Sequence, residues 1–174
     1  MGRRPGGRVS GSGTAIHVWR VHGGRKKVAA CVGALVSQHT GCRVEDIHFT
    51  HGRYGKPLHP AIHFNVSHSG GLALIALSPD RRVGVDIEKH RDDVDVRLIA
   101  QDFLRLSSVP TVEDFFALWT RREAEVKARG GSILLGRPAG RPWRIVDLPT
   151  GRGYSAALCY SGQEAEVFLR EYTL

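Results

Sequence analysis

Residues 83–88 read VGVDIE, and the alternation fixes how this stretch can lie. A β-strand repeats every two residues, so Asp86 and Glu88 fall on one face while Val85 and Ile87 fall on the other. Further on, residues 119–131 (WTRREAEVKARGG) follow helical spacing, with Phe115, Phe116, Trp119 and Val126 marking an apolar stripe. At about 100° per residue, Glu123 falls inside that stripe, between Phe116 and Trp119. A charge there costs several kcal/mol unless it is paired or metal-bound, to an order of magnitude. Lys127 follows one helical turn later. Three carboxylates that can converge, with an amine beside them, describe a site for a hard cation next to a phosphate. Each half also has a plainer meaning. An acidic pair at a strand end can be a solvated edge, and Glu123 with Lys127 can be an ordinary helix ion pair of about 0.3–0.5 kcal/mol.

A third segment, GKPLHPAIHFNVSHSGGLALIAL (residues 55–77), weights the choice. Ile62, Phe64 and Val66 alternate as in a strand, and Ser67, His68 and Ser69 then lead into Gly70-Gly71. Three hydrogen-bonding side chains beside permissive backbone let phosphate oxygens approach closely. The Ser-His adjacency is no hydrolase nucleophile, because neighbouring residues on a strand point to opposite faces.

The order GKP, FNVSHS, VGVDIE and W-x-x-x-EAEVKA-x-G resembles the 4′-phosphopantetheinyl transferase superfamily, and within it the larger surfactin-synthetase-activating type. The resemblance runs from about Arg25 to about Gly136. It implies transfer of the phosphopantetheine arm from coenzyme A to a serine of an apo carrier protein, with release of adenosine 3′,5′-bisphosphate. It further implies Asp86, Glu88 and Glu123 as ligands of Mg²⁺, and Lys127 on the transferred phosphate. Lys56, Ser67 and His68 are implied for coenzyme A. For the base that takes the serine proton, Glu123, directly or through metal-bound water, comes first and His68 second. Two departures stand out. The lysine usual before the helix glutamate is Arg122, a planar fork in place of a point charge. The larger type also carries basic residues for the 3′-phosphate in a longer segment before its first helix; here His22, Arg25 and Lys26 are the substitutes, with Arg25 assigned to coenzyme A.

Formal charge is +8, from 25 Lys and Arg against 17 Asp and Glu. That balance favours acidic or phosphorylated partners; the resemblance implies coenzyme A and an acidic carrier protein or carrier domain as those partners. Arg129 and Arg137 are the arginines expected to meet the carrier. Nucleic acid would suit the charge equally, but it leaves the buried-stripe Glu123 and the acidic strand unexplained, and 7% aromatics offer no stacking series. No apolar run approaches spanning length and no secretory leader follows the basic start. Cys31, Cys42 and Cys159 form no CxxC and read as reduced thiols in a cytoplasmic protein. The contrasting function is a basic binding module that keeps the fold without catalysis.

The resemblance implies an α+β, pseudo-duplicated fold, each half a helix or helices on a small, mostly antiparallel sheet. Residues 1–13 are expected to be disordered, 14–90 to form one half and 91–174 the other; the resemblance implies an active site between the halves, in a monomer. Helices are expected near 24–39, 94–105 and 111–129, the last capped by Thr111. Strands are expected near 46–50, 61–66, 71–77 and 83–88, and again in WRIVDL, YSAALCY and EAEVFLREY.

Overall fold

The computed structural model describes residues 15–52, 55–96, 99, 111–130 and 142–173. Two sheets share one apolar core and each carries a helix on its outer face. The first sheet has the order β4-β5-β1-β9, built from β1 (Ile16–His22), β4 (His63–Ser69), β5 (Leu72–Ser78) and β9 (Val167–Glu171). All its neighbours are antiparallel except β1 and β9. The second sheet, β6-β8-β7, is antiparallel and comprises β6 (Val83–Lys89), β7 (Trp143–Asp147) and β8 (Tyr154–Ser161). A two-stranded ribbon joins β2 (Thr50–His51) to β3 (Pro57–Leu58). The chain is thus α+β with small, mostly antiparallel sheets, as the sequence leads one to expect.

Strand periodicity sorts each strand between two layers. Strand β5, buried throughout, gives Leu72, Leu74 and Ala76 to the core between the sheets, and Ala73, Ile75 and Leu77 to the face under α1 (Arg25–Thr40). Helix α1 seats Val28, Cys31, Val32, Leu35 and Val36 on that face, at spacings of three and four, and stops at Gly41 in the left-handed conformation. From the second sheet, Val83, Val85 and Ile87 of β6 and Ala156, Leu158 and Tyr160 of β8 meet the shared core. The opposite faces of β6 and β8 therefore turn towards α2 (Val112–Arg129), where Ala124 and Ala128 pack on Ala157 and Cys159. Thr111 caps α2 by accepting from the Asp114 N–H at 3.1 Å.

Two differences from the sequence reading have local causes. Strand β1 was not foreseen, although Ile16, Val18 and Val21 carry its core contacts. Residues 46–50 are mostly not strand: Arg43 donates to Asp46 at 2.8 Å and tightens Val44–Asp46 into a 3₁₀ turn, leaving only Thr50–His51 extended. Strand β9 returns to the first sheet beside β1, so the segments 14–90 and 91–174 share a sheet. Of the helix expected at 94–105, Val96 and Ile99 pack near Phe115 and Phe116, while Phe103 and Leu106 lie outside the described residues. The N-terminal stretch 1–13 also lies outside them.

Candidate active site

Helix α2 presents two lines of side chains. Phe116, Thr120, Ala124 and Ala128 are buried, whereas Trp119, Glu123 and Lys127, each four residues from the next, line a cavity of about 870 Å³. Helix α1 supplies Arg25, Val28, Ala29 and Val32 to the same cavity; β4 supplies Ser67 and His68, and β6 supplies Asp86 and Glu88. Seven of the eight residues singled out from the sequence thus line one space: Arg25, Ser67, His68, Asp86, Glu88, Glu123 and Lys127. Of the three substitutes proposed for the 3′-phosphate, only Arg25 lines it.

At the floor, the Lys127 ammonium donates to Asp86 Oδ1 at 2.6 Å and to Ser67 Oγ at 3.2 Å. Ser67 Oγ in turn donates to the same Asp86 oxygen at 2.8 Å. Asp86 is 2% exposed, and its second oxygen, Oδ2, is buried without a hydrogen-bond partner among the described residues. Ser69 Oγ donates to Glu88 Oε2 at 3.0 Å, an arrangement the sequence reading missed. All three acids titrate above their ordinary values. Burial is the main cause for each; the Asp86 charge adds to it for Glu88, and the charges of Asp86 and Glu88 add to it for Glu123.

A cluster of carboxylates whose pKa values burial raises, with one buried oxygen unpartnered among the described residues, fits a divalent cation. The fit lies in the donor set: among the described residues, no group of three His, Cys, Asp or Glu stands positioned to grip an ion. Lys127 and Ser67 hold the other Asp86 oxygen, Oδ1.

Lys56 points elsewhere. Its ammonium donates to the carbonyls of Val83 at 3.1 Å and Lys127 at 3.0 Å, tying the GKP turn to the start of β6 and the last turn of α2. It lines a neighbouring cavity of about 500 Å³. Burial first, then the charges of Arg82 and Lys127, lower its pKa to about 8. Arg122 donates to Glu125 at 3.3 Å, and Glu125 accepts from Arg129 at 2.8 Å. Glu125 is the fully buried acid of α2, a place the stripe argument gave to Glu123. The expectation that Arg129 faces a carrier is corrected here: its side chain is 13% exposed and its guanidinium stacks over Trp143 at 4.9 Å. Arg137 lies outside the described residues.

No family model matches the chain. Among curated proteins it is 37% identical over 110 residues to the 4′-phosphopantetheinyl transferase AcpT of Salmonella typhi, covering 56% of this chain and 53% of that protein. It is 32% identical over 128 residues to AcpT of Escherichia coli K12, covering 67% of this chain and 60% of that one. With Sfp of Bacillus subtilis, also a 4′-phosphopantetheinyl transferase, identity is 29% over 114 residues, 60% of this chain and 50% of the relative. The chain spans about half the length of the curated relatives it matches. Similarity is spread across these relatives, so the surfactin-synthetase-activating type is not singled out.

Proposed function

From its similarity to the 4′-phosphopantetheinyl transferases, we propose that this chain transfers the phosphopantetheine arm of coenzyme A to a serine hydroxyl of an apo carrier protein. The observation that carries the reading is the single cavity into which Arg25, His68, Asp86, Glu88, Glu123 and Lys127 converge from four elements. In the step proposed, the serine oxygen forms a bond to the phosphorus that bears the pantetheine. The bond from that phosphorus to the bridging oxygen breaks, and adenosine 3′,5′-bisphosphate leaves with the bonding pair. The serine proton passes to Glu123, which lines the same cavity as Asp86, Glu88 and Lys127. His68 faces the same space and is the second candidate.

Asp86, Glu88 and Glu123 would hold Mg²⁺, which supplies charge neutralisation for the pyrophosphate. Lys127 offsets charge on the transferred phosphate. Arg25, an exposed residue of α1 that lines the cavity, binds a coenzyme A phosphate. Lys56 adds charge beside Lys127 and braces that residue's backbone. Ser67, already committed to Asp86, Lys127 and the Ile87 N–H, serves the site by holding the acid.

The test is incubation with coenzyme A, Mg²⁺ and an apo carrier protein, followed by mass spectrometry of the carrier. A mass gain equal to the phosphopantetheine arm is expected. An unchanged carrier, with coenzyme A still bound by calorimetry, would leave the non-catalytic binding module instead.

A further inference from the structure

Strand β6 lies at one side of its sheet, with Gly84, Asp86 and Glu88 paired to β8. Its other edge faces β4 of the first sheet, where an ordinary ladder would be made by peptide groups. Side chains do that work here. Asn65 Oδ1 accepts from the Val85 N–H at 2.8 Å, Ser67 Oγ from the Ile87 N–H at 3.3 Å, and Ser69 Oγ from the Lys89 N–H at 3.1 Å. Every second residue of β4 serves every second N–H of β6, and the offset is 20 residues at each rung. Asn65 and Ser67 are buried, so the N–H groups they serve lie away from bulk water. Two of the rungs also bind the acids directly: Ser67 donates to Asp86 and Ser69 donates to Glu88.

We propose that Asn65, Ser67 and Ser69 form a side-chain seam whose rungs are positioning residues, setting the register of Asp86 and Glu88 against Glu123 and Lys127 across the cavity. The inference rests on the transferase reading for what the acids do, and on geometry alone for what holds them. Asn65 is its sharpest point. It touches neither acid, yet a strand slips or tilts as a unit, so loss of the Val85 rung moves Asp86 next door. A misplacement of about 1 Å at reacting groups can cost on the order of a hundredfold in rate.

The experiment compares Asn65→Leu, near in size but without an acceptor, with Asn65→Asp, which keeps an oxygen in place beside Lys56, Arg82 and Lys127 around the same cavity. Amide hydrogen exchange reads the rung itself. In Asn65→Leu, exchange at Val85 should rise about tenfold or more while β5 amides stay protected, and Asn65→Asp should restore it. The Mg²⁺ affinity of the protein alone, by calorimetry, should weaken in the Leu variant and recover in the Asp variant. In transfer assays kcat should fall with KM for coenzyme A unchanged.

Wild-type protection of Val85 in Asn65→Leu would overturn the seam. So would exposed Val85 with wild-type Mg²⁺ affinity and kcat, or a change confined to KM. Should Asn65→Leu fail to fold, Ser69→Ala and Ser69→Thr decide the matter at the Lys89 amide and by Mg²⁺ affinity: loss in Ala with rescue in Thr supports the seam, and equal behaviour refutes it. If the wild-type protein transfers nothing, the transferase reading fails, while exchange and Mg²⁺ binding still judge the seam.

Discussion

Asp86 and Glu123 stand in different bargains with their surroundings, and their variants should part accordingly. Asp86 is nearly inaccessible and holds both the Lys127 ammonium and the Ser67 hydroxyl. Asp86→Ala should abolish transfer and also lower stability by about 1–3 kcal/mol, because two donors lose their acceptor. Glu123 borders the cavity, and burial and the nearby acids raise its pKa. Glu123→Gln should abolish transfer yet raise the melting temperature at pH 7 in metal-free buffer. The pH dependence follows from the same cause. The folded state holds protons on these acids more tightly than the unfolded chain does. Stability contributed by the protonated forms is therefore present near pH 4 and lost as pH rises through the raised values. Thermal melts without divalent cation should fall across that rise, and Mg²⁺ at pH 7 should recover the loss by binding the ionised acids. A flat profile, or equal Mg²⁺ stabilisation at pH 4 and pH 7, would count against the cluster.

Helix α2 works because one face comes unusually close to β6. A β-carbon on Gly84 would stand 2.2 Å from the Ala124 carbonyl oxygen and 2.2 Å from the Ala128 nitrogen, both backbone atoms with nowhere to turn. Gly84 thus sets the distance at which Glu123 and Lys127 meet Asp86. Gly84→Ala should cost about 1–3 kcal/mol and several degrees in Tm, by overpacking. Because the helix must lift, kcat should drop further than stability alone predicts; a wild-type kcat would show that the approach is not needed. The Glu/Lys pair and the DIE alternation were legible in the sequence because a single local period encodes each. So was the apolar stripe of α1. What hid were pairings between segments distant in sequence. Glu123 and Glu125 are two residues apart on one helix, and only the positions of Arg122, Arg129 and the second sheet reveal that Glu125 is the buried one. The seam was equally silent: Asn65 and Ser69 are ordinary strand polar residues until β6 is laid alongside them. Arg129 failed for the converse reason, since nothing in its neighbourhood of the sequence announces Trp143.

At the scale of the whole molecule, the acids of β6 and the Glu/Lys line of α2 meet within one chain. Specific activity should therefore hold on dilution, whereas a loss accompanied by a larger mass in solution would point to a site shared between subunits. The charge of +8 bears on the other partner. Opposite charge speeds encounter and is screened over about 8–10 Å at physiological salt. For an acidic carrier, KM should climb as salt rises, and coenzyme A affinity, which also involves phosphates, must be followed separately by calorimetry. With Arg129 committed to Glu125 and Trp143, the informative reversals lie on exposed cations near the cavity: Arg91, just past β6, and Lys26, beside Arg25 on α1. Arg91→Glu should raise the carrier KM, flatten its salt dependence and spare coenzyme A affinity. Lys26→Glu separates two roles, since weakened coenzyme A binding would assign it to the nucleotide, and unchanged binding with a raised carrier KM would assign it to the carrier. If neither reversal alters the carrier KM or its response to salt, long-range charge does not guide docking from this side of the cleft.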